Sequence, residues 1–138
     1  MTKSWGPMMR SIHIAIVAVL LFPASAQSEE VYKTASSGQR ALIYRTVSFN
    51  ADCSYSPFKF DVVREPEHGK VQPQFEDHVI GSDSAQHAGG IGACAGKRTR
   101  GLALYYTSKS GFKGQDTLSI KASNQSGSIA TNIIIEVQ

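Results

Sequence analysis

The chain has 138 residues, with 14 Lys and Arg against 11 Asp and Glu and a formal net charge of +3. Two of the basic residues, Lys3 and Arg10, lie in the first 26 positions, and removing them from the 14 leaves 12 basic against 11 acidic side chains, a net charge of +1. This near-neutral remainder gives no support for nucleic-acid binding, and no nucleic-acid partner is expected.

Residues 1–26 are predicted to be a cleaved secretory signal peptide of a bacterial type. The basic residues Lys3 and Arg10 precede an apolar run at 12–22, which Pro23 ends just before the small-residue sequence ASA. This order is typical of a secretory leader. The apolar run at 12–22 is shorter than the roughly 20 residues that a membrane-spanning helix needs. We therefore expect no membrane span once the leader is cleaved. A retained N-terminal anchor is the alternative.

Residues 27–138 are predicted to form one all-β domain, a sandwich of about seven strands. Short runs rich in β-branched and aromatic residues, separated by turns that contain Gly or Pro, are typical of such folds. Imperfect alternation predicts a bulge in the strand at 40–49, and Pro73 predicts an edge strand because it has no N–H to donate. The other predicted strands before the C-terminal third are 31–35, 58–64, 70–75 and 78–80.

Three further strands in the C-terminal third alternate apolar and polar residues most regularly. The Gly-containing turns at 108–115 and 124–127 separate them. Alternation predicts one inward face for each strand. These faces carry Leu102, Leu104 and Tyr106, then Leu118, Ile120 and Ala122, then Thr131, Ile133, Ile135 and Val137.

Cys53 and Cys94 are the two cysteines of the chain and are predicted to form a disulfide. An even number of cysteines in an exported protein indicates a disulfide. Closing a loop of about 40 residues contributes roughly 4 kcal/mol through the entropy of the unfolded chain. A redox or metal-binding pair is the alternative, which the absence of a Cys-x-x-Cys spacing disfavours.

Residues 81–101 form the least regular segment, with six Gly among 21 residues. Long irregular loops are usually functional or disordered. The segment ends in a basic run that contains Lys97, Arg98 and Arg100. We therefore expect the 81–100 loop, with these three side chains, to be the contact surface for a protein partner, an acidic glycan or a lipid headgroup. A solvated run of charges is the alternative.

Five acidic and histidine residues lie close together before and within that loop. They are Glu76, Asp77, His78, Asp83 and His87. Their spacing fits no recognised pattern of metal ligands, so metal binding by the region around His78, Asp83 and His87 stays open. Motifs for nucleophilic catalysis, zinc proteases and phosphate loops are lacking, so we expect no catalytic residue, no metal and no cofactor.

Three motifs lie in the second half of the chain. They are P-x-H-G-x-V at 66–71, Y-T at 106–107 and G-F-x-G-x-D at 111–116. With Gly127 and Val137 near the end, they resemble the bacterial Ig-like and cadherin-like repeats of secreted adhesins over residues 62–138. The resemblance implies an Ig-like or cadherin-like β-sandwich. Departures are Ser108 and Asn124, where the repeats usually have Pro and often Asp, and the 81–100 insert with its cysteine.

The G-F-x-G-x-D motif also has a structural interpretation. Gly111 and Gly114 permit a positive φ, Phe112 is predicted to cover the end of the core, and Asp116 to accept N–H bonds from the turn that it closes. The alternative is Asp116 as a calcium ligand, but calcium takes six to eight oxygens and no second acidic motif is present.

The predicted function is therefore that of a non-enzymatic exported interaction or structural module, periplasmic or extracellular, with an unknown protein or glycan partner. A small inhibitor or ligand-binding protein that uses the 81–100 loop is the alternative.

Overall fold

A computed structural model describes residues 28–81 and 92–138 of the protein. The predicted signal peptide, Asp83 and His87 lie outside the described residues. No helical segment in the described ranges is long and apolar enough to cross a bilayer. These ranges form a short 3₁₀ helix, Gly92–Cys94, and seven strands: β1 (Ser28–Ala35), β2 (Arg40–Val47), β3 (Lys59–Arg64), β4 (Gly69–Val79), β5 (Arg98–Ser108), β6 (Gly114–Asn124) and β7 (Gly127–Val137).

The seven strands form two sheets, which confirms the predicted all-β sandwich. One sheet has the order β1-β7-β6-β3, and the other has the order β2-β5-β4. Strand β1 runs parallel to β7, whereas the other neighbouring strands are antiparallel. Strands β3 and β4 are both edge strands, one in each sheet.

The core lies between the sheets and contains the side chains that alternation predicts. Leu104, Leu118 and Ile133 are 0% exposed, and burying a side chain of this size contributes about 1.5–3 kcal/mol. Ala122 is only half-buried, although alternation places it on the inward face of β6. The remaining buried members of this cluster are Ala35, Ile43, Leu102, Tyr106, Ile120, Ile135 and Val137.

Two predictions about the edges of the three-stranded sheet are confirmed. The register of β2 shifts between Leu42 and Tyr44, as the predicted bulge requires. Strand β4, which contains Pro73, pairs with β5 alone and is an edge strand. Proline is tolerated there because its missing N–H can face away from the partner strand.

The predicted boundaries around residues 70–100 are wrong in two places. A single strand, β4, replaces the separate strands expected at 70–75 and 78–80. The 81–100 loop is also shorter than expected, because β5 begins at Arg98. Both errors have one cause: pairing with β5 continues without interruption along all of β4, from Gly69 opposite Ser108 to Val79 opposite Arg98.

Cys53 and Cys94 form the predicted disulfide, with their Cα atoms 5.4 Å apart. Cys53 lies in the connection between β2 and β3, and Cys94 ends the 3₁₀ helix before β5. Ile80 and Phe49 pack against the two cysteines in a small second apolar cluster. The bond therefore ties two connections together at one end of the sandwich.

Candidate interaction site

The three predicted contact residues lie at the start of β5, next to the disulfide. Lys97 precedes the strand, and its carbonyl accepts a hydrogen bond from the N–H of Ile80 at 2.8 Å. Arg98 and Arg100 are exposed and share one face of β5, because side chains alternate along a strand. Within residues 28–81 and 92–138, none of the three forms an ion pair.

Arg100 lies beside Phe75, the first of three successive aromatic side chains that we name the aromatic row: Phe75, which is exposed, and Phe58 and Tyr55, which are half-buried. Its guanidinium carbon is 4.9 Å from the ring centroid of Phe75, within the range of a cation–π contact. The ring centroid of Phe58 is 6.1 Å from that of Phe75 and 6.4 Å from that of Tyr55. Successive rings are inclined by 56° and 60°. The row therefore presents inclined apolar rings next to a cation.

Phe75 is exposed because it lies on an edge strand. Alternation places it on the inward face of β4, opposite Leu102. Leu102 lies in the central strand of its sheet and is 2% exposed, whereas Phe75 is 45% exposed. Alternation identifies the face of a side chain but not whether the facing sheet extends far enough to cover it. Pro73, which predicts the edge, is the one signal in the sequence that could have indicated this exposure.

The loop that carries Tyr55 is held by its own hydrogen bonds. Tyr55 pairs with Phe49 in an isolated antiparallel bridge, and its carbonyl accepts from the Asn50 side chain at 3.3 Å. Ser54 donates from its hydroxyl and its N–H to the Asp52 carboxylate, and these bonds hold the pKa of Asp52 below its usual value. The aromatic row is therefore positioned before any partner arrives, which lowers the entropic cost of binding.

Asp116 is a buried carboxylate, 3% exposed, that accepts four hydrogen bonds. The backbone N–H groups of Glu67, His68 and Thr117 donate at 3.1, 3.0 and 3.0 Å, and the Tyr106 hydroxyl donates at 2.8 Å. Two of these donors belong to the connection between β3 and β4. The prediction that Asp116 accepts from the 108–115 turn is therefore corrected, because β6 directs the side chain inward, toward that other connection.

The three motifs of the sequence meet around this carboxylate. His68 stacks on Phe112 with ring centroids 4.2 Å apart and planes inclined by 10°. A Cβ on Gly69 would lie 2.4 Å from the ring of Tyr106, so the turn passes too close for any other residue. Burial raises the pKa of Tyr106, and its hydrogen bond to Asp116 raises it further. We name Asp116 and its donors the carboxylate knot.

The turn before β6 has the local geometry expected for it. Gly111 has a φ of 81° and Gly114 a φ of 124°, both in the range that favours glycine. Phe112, between them, is half-buried and packs against the main core. The turn thus closes one end of the sandwich.

The outer face of the three-stranded sheet carries a polar network that sequence reasoning missed. The guanidinium carbon of Arg40 lies 3.4 Å from the ring centroid of Tyr105. The Tyr105 hydroxyl donates to the Glu76 carboxylate at 3.2 Å, and Glu76 is 3.9 Å from the Arg45 guanidinium. These side chains join all three strands, so the network supports their register. Exposed pairs of this kind contribute about 0–1 kcal/mol each.

His78 is buried at the end of the same face and is 6% exposed. Its ring fills the space above Gly101, where a Cβ would lie 2.1 Å from the imidazole Cδ2. Burial lowers the pKa of His78, the charge of Arg45 lowers it further, and the charge of Glu76 opposes them. Among the described residues, no group hydrogen-bonds the His78 Nε2. The neutral imidazole is thus the form that fits this site.

The described residues do not assemble the metal region considered from the sequence. Glu76 and His78 share the outer face of β4, whereas Asp77, between them, points to the other face. Within the two described ranges, no three His, Cys, Asp or Glu side chains are arranged to hold a metal ion.

Comparison of the chain with known protein families, with characterised proteins and with solved structures gave no match.

Proposed function

We propose that the protein is an exported, non-enzymatic interaction module built on an Ig-like or cadherin-like sandwich. Its partner contacts the aromatic row together with Arg98 and Arg100. The exposed ring of Phe75 beside Arg100, continued by the half-buried rings of Phe58 and Tyr55, is the observation that carries the proposal.

The strand order supports the Ig-like part of the proposal. In seven-stranded Ig domains, the second, fifth and fourth strands share one sheet, and the third, sixth and seventh share the other. Six of the seven strands here have these memberships, whereas β1 lies beside β7 and not, as the first Ig strand does, in the sheet of the second strand. The convergence of three separate sequence motifs on the carboxylate knot is a second argument, because it gives each motif a role in one fold.

Export is supported by the disulfide and by the sequence of the first 26 residues. Disulfides persist in oxidising compartments and are rare in the cytosol. The Cys53–Cys94 bond joins two connections at one end of the sandwich. Residues 1–26 have the order of a signal peptide.

The composition of the aromatic row and its neighbouring cations supports a contact role. Protein interfaces are enriched in Tyr, Phe and Arg, and their energetic centres are often aromatic or Arg side chains. Here the exposed Arg100 and Phe75 are followed by the half-buried rings of Phe58 and Tyr55. Because a loop closed by its own hydrogen bonds holds one end of the row, the surface needs little ordering on binding.

The test is a cross-linked pull-down from the organism that produces the protein. Three tagged forms are compared: wild type, a variant with Lys97, Arg98 and Arg100 changed to Ala, and a control with three other exposed lysines changed to Ala (Lys33, Lys113 and Lys121). Each change at an exposed charge should alter stability by less than about 0.5 kcal/mol. We expect wild type and control to capture the same partner and the first variant to lose it. Equal capture by all three forms would refute the proposed contact surface.

A further inference from the structure

We infer that the partner contributes an extended, acidic polypeptide segment, whose apolar side chains pack on the aromatic row while a carboxylate pairs with Arg100. This inference rests on the proposed function and names the class of partner. Three features of the described residues carry it: the charge at one end of the row, the inclination of the rings and the unpaired strand edges beside them.

The charge at the row favours an acidic partner. Three exposed cations lie close together along the chain: Lys97, Arg98 and Arg100, with Thr99 between the last two. The facing acid on β4 is Asp77, the register partner of Arg100, and no ion pair joins the two in the described structure. A guanidinium stacked on a ring keeps its N–H groups available for a carboxylate, which it binds with two parallel hydrogen bonds.

The rings favour a polypeptide over a glycan. Because successive rings are inclined by 56° and 60°, they do not form one flat platform on which sugar rings could stack, whereas apolar side chains can pack against inclined rings. The only hydroxyl in the row is that of Tyr55, so the row offers few hydrogen-bond partners to a hydroxyl-rich chain. One side of the Phe75 ring is also already covered by Arg100.

The neighbouring strand edges favour an extended conformation. Phe58 directly precedes β3, and Phe75 lies within β4, so the row lies between the edge strands of the two sheets. Edge strands present N–H and C=O groups to which another chain can add a strand. Pro73 removes one donor from β4, whereas β3 (KFDVVR) contains no proline. Strand addition beside β3 is therefore the preferred geometry.

The test uses three fluorescein-labelled synthetic octapeptides, measured by fluorescence anisotropy against the protein from residue 27 onward with its disulfide intact. One peptide alternates Asp and Phe, the second alternates Asp and Ser, and the third alternates Lys and Phe. We expect the Asp–Phe peptide to bind at least tenfold more tightly than the other two. Its affinity should fall as salt is added, because exposed charges are screened. Equal binding of all three peptides, or of none, would overturn the inference.

Matched variants localise the binding. Phe75→Ser and Ile129→Ser remove equally exposed apolar side chains, each 45% exposed, and Arg100→Gln is matched by Lys121→Gln. We expect the Phe75 and Arg100 variants to lose tenfold or more of the affinity for the Asp–Phe peptide. The other two variants should keep it, and all four should keep the melting temperature within a few degrees. Retained affinity in Arg100→Gln refutes the carboxylate contact.

A competition measurement distinguishes a polypeptide partner from an acidic glycan. Polygalacturonate, an acidic polysaccharide, competes with the labelled Asp–Phe peptide in the same assay. The concentration of charged groups needed for competition is compared with that of the unlabelled Asp–Phe peptide. If the polysaccharide needs a higher concentration, the result supports a polypeptide partner. If it needs a lower one, the result overturns the inference in favour of a glycan. The pull-down reports separately: if Lys97, Arg98 and Arg100 are needed for capture but the peptides do not bind, the proposed function stands and this inference fails.

Discussion

Changing Asp116 to Asn tests the carboxylate knot most directly. One carboxylate oxygen accepts from Glu67 and Thr117, and the other accepts from His68 and Tyr106. An Asn side chain keeps one acceptor and places an NH₂ group in the position of the other. The Tyr106 hydroxyl can rotate to accept from that group, but a backbone N–H cannot.

The magnitude follows from this loss. A buried donor left without a partner costs about 1–3 kcal/mol, and hydrogen bonds to a charged acceptor contribute about 1.5–3 kcal/mol against about 1 for neutral ones. One lost bond and two weakened bonds therefore destabilise the fold by about 3 kcal/mol. Total stability in a small domain is about 5–15 kcal/mol. At about 4 °C for each kcal/mol in a domain of this size, the melting temperature should fall by roughly 12 °C.

The assay is urea unfolding together with thermal unfolding, each in EDTA and in calcium. Tyr106→Phe removes one donor and keeps the carboxylate, so it should cost about 1.5 kcal/mol. Asp61→Asn, at an exposed position on β3, is the control and should stay within about 0.5 kcal/mol of wild type. A loss below that value for Asp116→Asn would refute the reasoning. A strong rise in the wild-type melting temperature with calcium, absent in Asp116→Asn, would establish a calcium site instead.

Three further outcomes are expected. Thiol titration of the denatured, unreduced protein should find no free thiol from Cys53 or Cys94, and two free thiols would contradict the disulfide. The contribution of His78 to the free energy of unfolding should be fully present above pH 6.5, the usual pKa of histidine, and be lost as the pH drops below it. The reason is that burial lowers the folded-state pKa of His78, so the unfolded chain takes up the proton first as the pH falls. His78→Gln should remove this pH dependence. A variant with the same pH profile as wild type would contradict the role of His78. Gly69→Ala places its Cβ 2.4 Å from the Tyr106 ring and should cost about 1–3 kcal/mol in urea unfolding; a cost near zero would show that the turn can move.

The sequence predicts most of the fold because the buried face of each strand can be recognised from the residues of that strand alone. Leu118 and Ile133 follow a two-residue period that can be read without knowing which strand lies beside them. The same rule cannot supply contacts between distant residues. Asp116 accepts from Glu67, 49 residues earlier, and the sequence marks this pairing only through a resemblance of motifs. The length of β4 is missed for a related reason, because pairing with β5 keeps the polar residues Glu76 and Asp77 in the strand.

The exposure of Phe75 illustrates a different limit. Its position in the alternation is correct, and its neighbour across the strands, Leu102, is buried as predicted. Exposure depends on how far the facing sheet extends, which is a property of the assembled sandwich and not of any one strand. Candidate contact residues on a β-sandwich are therefore best sought on edge strands, at positions where alternation predicts a buried side chain but the facing sheet does not cover it.

The carboxylate knot lies beside the start of β4, and Phe75 of the aromatic row lies further along that strand. Gly69 begins β4 beside the knot, and Phe75 follows six residues later, about 20 Å along an extended strand. Sites separated by more than about 7–10 Å without shared partners contribute additively to stability. The knot can therefore fix the fold while the row changes to suit a partner. A double variant, Asp116→Asn with Arg100→Gln, should show the stability loss of the first change and the binding loss of the second. A larger loss of either kind would mean that β4 transmits strain between the two sites.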